Sequence, residues 1–176
     1  MFLLRGMPFI DLAHLRKRDM QDGRITYSRH KTDKPITVRI PREALALIAK
    51  YADRHSASPY LFPILDARIR DGWQSYRNYQ DALRHFNRKL GQVMSRLLPG
   101  VRVSSYTARH TWATLAFHSG QPVGIISQAL GHSSLRVTET YLKPFGNELV
   151  DKANRQLIAS VRKCKWKNET EYRAGL

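Results

Sequence analysis

The chain has 176 residues, 42% of them apolar, enough to bury one core without staples and too few for two full domains. Thirty Lys and Arg against fourteen Asp and Glu give a formal charge of +16, a field that repels cationic partners and gathers polyanions, nucleic acid first among them. The one cysteine, Cys164, excludes an internal disulfide framework and a multi-cysteine zinc site and fits a reducing cytosol.

The opening MFLLRGMPFI is broken by Arg5 and is too short to span a bilayer. It also lacks the basic first segment and the small-residue cleavage site of a signal peptide. It reads as the interior of a helical domain, so the expectation is a chain that starts partway through one. Residues 8–17 place Phe9, Leu12, Ala13 and Leu15 on one side at helical spacing, with Pro8 at the start and Asp11 in the first turn. After Asp22-Gly23, ITYSRH and ITVRI alternate with period two around KTDKP. That pattern predicts two antiparallel strands joined by a tight turn carrying Lys31 and Lys34. Residues 41–55 predict a helix buried along Leu45, Ile48 and Ala49, followed by the irregular SASPYLFPIL. Residues 73–98 predict one long helix with Tyr76, Tyr79, Leu83, Phe86, Leu90 and Val93 on a face read as core.

Beyond Gly100 the periodicity predicts helices over 107–118, 123–130, 135–141 and 148–161, punctuated by Gly120 and Gly131. The polar RKCKWKNETEYRAGL is expected to be a mobile terminus. The expected class is therefore mainly α with a small antiparallel β-sheet (α+β), one domain over 1–163 and a charged tail over 164–176.

Three groups carry chemistry. Arg109 stands in the first turn of its helix, three residues after Tyr106 and on the same face. His132 lies between Gly131 and Ser133 in a turn that presents a ring at a surface. Tyr141 ends the next helical segment, just before Leu-Lys-Pro. His110, next to the arginine, is expected to be buried and hydrogen-bonded. His14, His30, His55, His85 and His118 lack metal-ligand spacing, and no metal site is expected.

ARHTWAT, LGHSS and TETYLK, in that order, resemble the C-terminal signature of the tyrosine recombinases, also called the phage integrase family. The similarity covers residues 6 to about 154 and rests on three motifs in register, with Arg109, His132 and Tyr141 at intervals of 23 and 9 residues. The resemblance implies the family's catalytic-domain fold, truncated at its N-terminus. It also implies site-specific DNA cleavage and rejoining through a 3′ phosphotyrosine on Tyr141, with no metal, nucleotide or other cofactor.

A catalytic lysine on the hairpin is implied as well, Lys31 ahead of Lys34. In that scheme Arg109 stabilises the transition state, His132 adds a donor and is the candidate base, and Lys31 protonates the departing 5′ oxygen. Two positions depart from the pattern. The first family box usually reads G-L-R-x-S-E-L, but Pro8 stands at its arginine, and Arg5, three residues earlier, is the candidate replacement or else a surface charge. Tyr106 stands where the family commonly has His or Lys and either supports Arg109 or packs.

Implied partners are double-stranded DNA, three further copies in a homotetramer, and accessory DNA-bending proteins, with no membrane; the implied setting is a mobile element in the bacterial cytosol or nucleoid. Whether residues 143–161 form a helix exchanged between protomers stays open. A noncatalytic DNA-binding remnant and type IB topoisomerase-like strand passage are the alternative functions.

Overall fold

The structure, a computed structural model, describes residues 1–142 and 146–174, with side chains described over 1–142 and 146–160. It divides into two units, Met1–Leu142 and Lys143–Leu176.

The first unit opens with a 3-10 turn, Phe2–Leu4, after which Arg5 (φ 54) and Gly6 (φ 67) turn the chain into α1, Phe9–His14. This helix stops short of the expected residue 17. Leu15 is extended and accepts a 2.7 Å hydrogen bond from the Leu61 N–H, and Arg16 bridges to Tyr60, so the backbone leaves the helix to pair with the irregular segment.

Three antiparallel strands follow, β1 (Met20–Gln21), β2 (Arg24–Ser28) and β3 (Pro35–Arg39), in sheet order 1-2-3. Ile25 faces Val38 and Tyr27 faces Ile36, and period-two alternation sends Ile25, Ile36 and Val38 into one core with Leu4, Met7, Leu15 and Leu61. On the other face Thr26 and Thr37 share a 3.1 Å hydrogen bond. The two-residue β1 was not expected, since two residues carry no periodicity.

Helix α2, Arg42–Tyr51, covers this core with Ala44 and Ile48. The expected stripe is thus rotated: Leu45 is 39% exposed, and Ala49 is exposed too. Helix α3, Gly72–Leu97, begins at Asp71, whose carboxylate accepts from the Gln74 N–H at 2.8 Å. Its Tyr79, Ala82, Leu83 and Phe86 pack on Phe9, Ala13 and Leu65. The aromatic stripe is only partly core, because Tyr76 and Val93 are more than half exposed and Trp73 stacks on Tyr76 at 5.9 Å. An apolar groove of about 1200 Å³ runs beside α3, lined by Phe9, Phe62, Phe86, Leu90 and Met94 among others.

Three short helices close the unit: α4 (Thr107–His118), α5 (Val123–Leu130) and α6 (Leu135–Glu139). Ala113, Ile126 and Leu130 form their buried centre, with Trp112, Phe117 and Tyr141 against it.

The second unit holds α7, Asn147–Ala174. It continues past residue 161 through the polar stretch expected to be a tail. That stretch is rich in Lys, Arg and Glu and meets no Gly or Pro before Gly175, which suits a helix. Cys164 lies outside the residues with described side chains. Among the described residues no helix is long and apolar enough to cross a membrane.

Candidate active site

The first turn of α4 brings Arg109 against the opening loop. A Cβ on Gly6, at φ 67, would stand 3.0 Å from the Arg109 Cα, so any larger residue would be strained and would press on this approach. The approach lets Arg109 Nη1 donate to Gly6 O at 3.1 Å, while Nη2 donates to Leu130 O at 2.6 Å and to His132 Nε2 at 3.0 Å. Arg109 is 1% exposed, and its Nε has no partner. Burial, then repulsion from Arg29, lowers its pKa from the ordinary value.

His132 follows Gly131, which ends α5 in the left-handed region at φ 66. A guanidinium can only donate, so Nε2 is the acceptor and the ring proton sits on Nδ1, from which it donates to Thr138 Oγ1 at 2.9 Å. Burial foremost, then the cations Arg109, Arg29 and Lys31, push the His132 pKa down to about 4. His132 is therefore neutral at pH 7, with its lone pair turned to Arg109. In that arrangement it orients the arginine and cannot at the same time take a proton from Tyr141.

Tyr141 stands two residues past α6, with its N–H on Thr138 O at 2.9 Å and its carbonyl accepting from Thr114 Oγ1 at 3.2 Å. Its ring stacks on His132 with centroids 5.2 Å apart, and its hydroxyl is hydrogen-bonded to the Tyr106 hydroxyl. Burial and then this bond raise the Tyr106 pKa. The Tyr141 side chain also bears on the Arg109 guanidinium, so phenol and arginine share one side of the molecule.

The β2–β3 hairpin is tied to the same place by two cations. Arg29 Nη1 donates to Gly131 O at 2.9 Å and Lys34 Nζ to His132 O at 3.1 Å. Lys31 is exposed near the tip and acts electrostatically on His132. Asp11 accepts from the His30 N–H at 3.0 Å and lies 3.9 Å from Arg29 Nε; burial raises its pKa.

Residues 3–148 match the phage integrase family. The chain belongs to that family. It is 29% identical over 155 residues to tyrosine recombinase XerA of Pyrococcus furiosus, covering 85% of this chain and 51% of XerA. A crystal structure of XerA recombinase superposes with a TM-score of 0.62 at 19% identity, covering 88% of this chain and 54% of that one. The Tn1549 transposon integrase in complex with a circular intermediate DNA gives 0.59 at 14% identity, covering 88% and 56%. At those identities the structures share the fold, mostly helical with a small sheet. This chain spans about half the length of the curated relatives it matches.

Of the residues singled out in this integrase-family chain, Arg109, His132, Tyr141 and Tyr106 converge, and Lys31 stands on the adjoining hairpin. Arg5 does not join them. Its Nη1 lies 3.4 Å from Thr37 O, and among the described residues no hydrogen bond links it to Arg109, His132 or Tyr141. Lys34 is the hairpin lysine spent on a carbonyl, which leaves Lys31 the freer of the two.

His110 is exposed, contrary to the expectation of burial, and lies over Tyr141 with centroids 4.6 Å apart. The turn into α4 aims it outward beside Tyr106, so the Arg109 face and the His110 face diverge. Sequence reading missed Arg29 and Thr138. For Arg29 there was a signal, since alternation through Ile25 and Tyr27 puts position 29 on the inward face. Among the described residues no group of three or more His, Cys, Asp and Glu could hold a metal.

Two expected results arise here. At Gly131 a Cβ would stand 2.5 Å from Ile36 Cδ1 and 3.2 Å from Arg29 Cδ, at a positive φ. Gly131→Ala is expected to cost about 2 kcal/mol or more in urea denaturation, while Gly124→Ala, in open space within α5, costs nothing measurable. The second concerns pH. The folded state holds the His132 pKa near 4, whereas the unfolded chain takes up a proton at about 6.5. His132 therefore adds stability that is complete above about pH 6.5 and is lost as pH falls to about 4, with a ceiling of about 3 kcal/mol. Urea midpoints of the parent and His132→Asn should converge over that window. Equal slopes in both proteins would refute the assignment.

Proposed function

We propose that this chain carries the strand-cleaving centre of a site-specific tyrosine recombinase acting on double-stranded DNA. The observation that supports it most is the convergence of Arg109, His132 and Tyr141 beside a hairpin that carries Lys31. A phosphodiester repels a nucleophile and accumulates charge on its nonbridging oxygens during attack, so a preset guanidinium answers both problems. The Tyr141 oxygen attacks phosphorus, a phosphorus–tyrosine oxygen bond forms, and the bond to the 5′ oxygen breaks. Lys31 gives that oxygen its proton. The tyrosine proton passes along the Tyr106 hydroxyl, on a residue 43% exposed, to water. A free 5′ hydroxyl reverses the sequence on the 3′ phosphotyrosine and expels Tyr141, so the linkage energy is kept and no nucleotide is consumed.

The formal charge of +16 supplies the long-range attraction to DNA. The same reading extends to a homotetramer joining two duplexes, to a mobile element as its setting and to the bacterial cytosol or nucleoid as its place of action. The test is a pool of nicked duplexes with randomised flanks, in which the short strand beyond the cut diffuses away and traps the adduct. The expected result is a denaturant-resistant protein–DNA species whose nucleotide maps to the peptide containing Tyr141. Salt-dependent binding with no adduct across the pool would replace this reading with that of a noncatalytic binding domain.

A further inference from the structure

We propose that Arg29 is the second arginine of the phosphate site, in the place for which the sequence offered Arg5. The proposal rests on the phosphoryl-transfer reading and adds a substrate-contacting residue to it. Three observations carry it. The first is location: Arg29 leaves the end of β2 on the inward face, is 6% exposed, and holds Gly131 O at 2.9 Å. That carbonyl sits between Leu130, whose own carbonyl is held by Arg109, and His132. The two guanidinium groups thus grip consecutive peptide units from opposite ends of the chain. Their mutual repulsion, together with the influence of Arg29 on His132 and Tyr106, places all four groups in one electrostatic neighbourhood.

The second is open donor capacity. Arg109 spends Nη1 on Gly6 O and Nη2 on Leu130 O and His132. Arg29 spends only Nη1, and its Nη2 and Nε make no hydrogen bond among the described residues. A guanidinium offers five N–H groups, so Arg29 holds the larger unspent share.

The third is charge balance. Two guanidinium groups, each at least nine-tenths buried, share one carboxylate, that of Asp11. Its nearer oxygen is 3.9 Å from Arg29 Nε and itself lacks a hydrogen bond. Buried charge is costly unless paired, and Lys31 and Lys34 add to the surplus. A phosphate diester is an anion of the right charge and geometry to complete the set, since an arginine fork matches two of its oxygens. Arg5 has open donors too but lacks the place and the burial: it is partly exposed and reaches toward Thr37 O.

The test uses the full chain and inorganic phosphate, so it needs neither a known target nor cleavage. Phosphate at fixed ionic strength, with chloride as the balance, is expected to raise the Tm of the parent by several degrees. Arg29→Gln should lose at least half of that rise, and Arg5→Gln should keep it. In the unsubstituted protein, labelled at arginine side-chain nitrogen, the Arg29 Nε–H resonance should shift with phosphate while that of Arg5 stays. This second readout stands even if Arg29→Gln does not fold.

On trapping substrates, Arg29→Gln should form adduct roughly 100-fold more slowly. A neutral methylphosphonate at the scissile position should restore much of that rate, which a purely structural defect would not allow. A full Tm rise in Arg29→Gln, or a phosphate response at Arg5 and none at Arg29, overturns the proposal. A parent chain that forms no adduct yet shows the Arg29 response would defeat the recombinase reading and leave this site standing.

Discussion

Tyr141→Phe is expected to abolish the covalent adduct while leaving the affinity for duplex DNA within about twofold. Phenylalanine keeps the ring that packs between His132 and His110 and removes no cation, so binding and its salt dependence should persist. Only the oxygen is lost, and with it the bond to phosphorus. The contact between two phenols makes this result more informative than usual, because either hydroxyl of the Tyr106–Tyr141 pair is near the site. Burial and the bond to Tyr141 raise the Tyr106 pKa, which disfavours its phenolate. Tyr106→Phe should therefore slow adduct formation by about tenfold through loss of the proton relay, with the adduct still mapping to Tyr141. Trapping that survives in Tyr141→Phe and disappears in Tyr106→Phe would reverse the assignment.

The second large effect is at Arg109. Arg109→Lys keeps a charge but cannot span Gly6 O, Leu130 O and His132 Nε2 at once, because an ammonium on a flexible stem lacks the planar fork. Adduct formation should fall by about 100- to 1000-fold, the cost of removing a pre-aligned donor from developing charge. Arg109→Ala should fall at least as far and also lose stability. Two buried carbonyls and one ring nitrogen would be left without a donor, each costing about 1–3 kcal/mol, offset in part by removal of a buried charge. Single-turnover trapping reports the first effect and urea denaturation the second. A lysine variant that traps at the parental rate would remove Arg109 from the transition state.

Much of this was legible in the residues alone. Helical periodicity located the long helix of residues 72–97 to within one residue, two short helices of the site at their observed bounds and the third two residues too long, helped by a glycine or proline just beyond each. Periodicity shows which face is apolar but not whether anything covers it. Tyr76 and Val93 repeat with Tyr79 and Phe86, yet only the latter two meet the Phe9 cluster. The outcome at Arg5 and Arg29 was hidden for a related reason. A motif fixes where a residue stands along the chain, whereas the reach of Arg29 depends on a carbonyl 102 positions away. The neutral state of His132 likewise follows from surroundings that the turn Gly131-His132-Ser133 does not announce.

The bonds that assemble this centre join positions 103, 102 and 98 residues apart. Contacts of such separation are the slowest to form, because chain entropy is lost before they return anything. During synthesis the first loop and the hairpin leave the ribosome well before Arg109, His132 and finally Tyr141. A nascent or partly unfolded copy therefore carries the basic residues of the sequence without the arrangement of Arg109, His132 and Tyr141 on which the proposed chemistry depends.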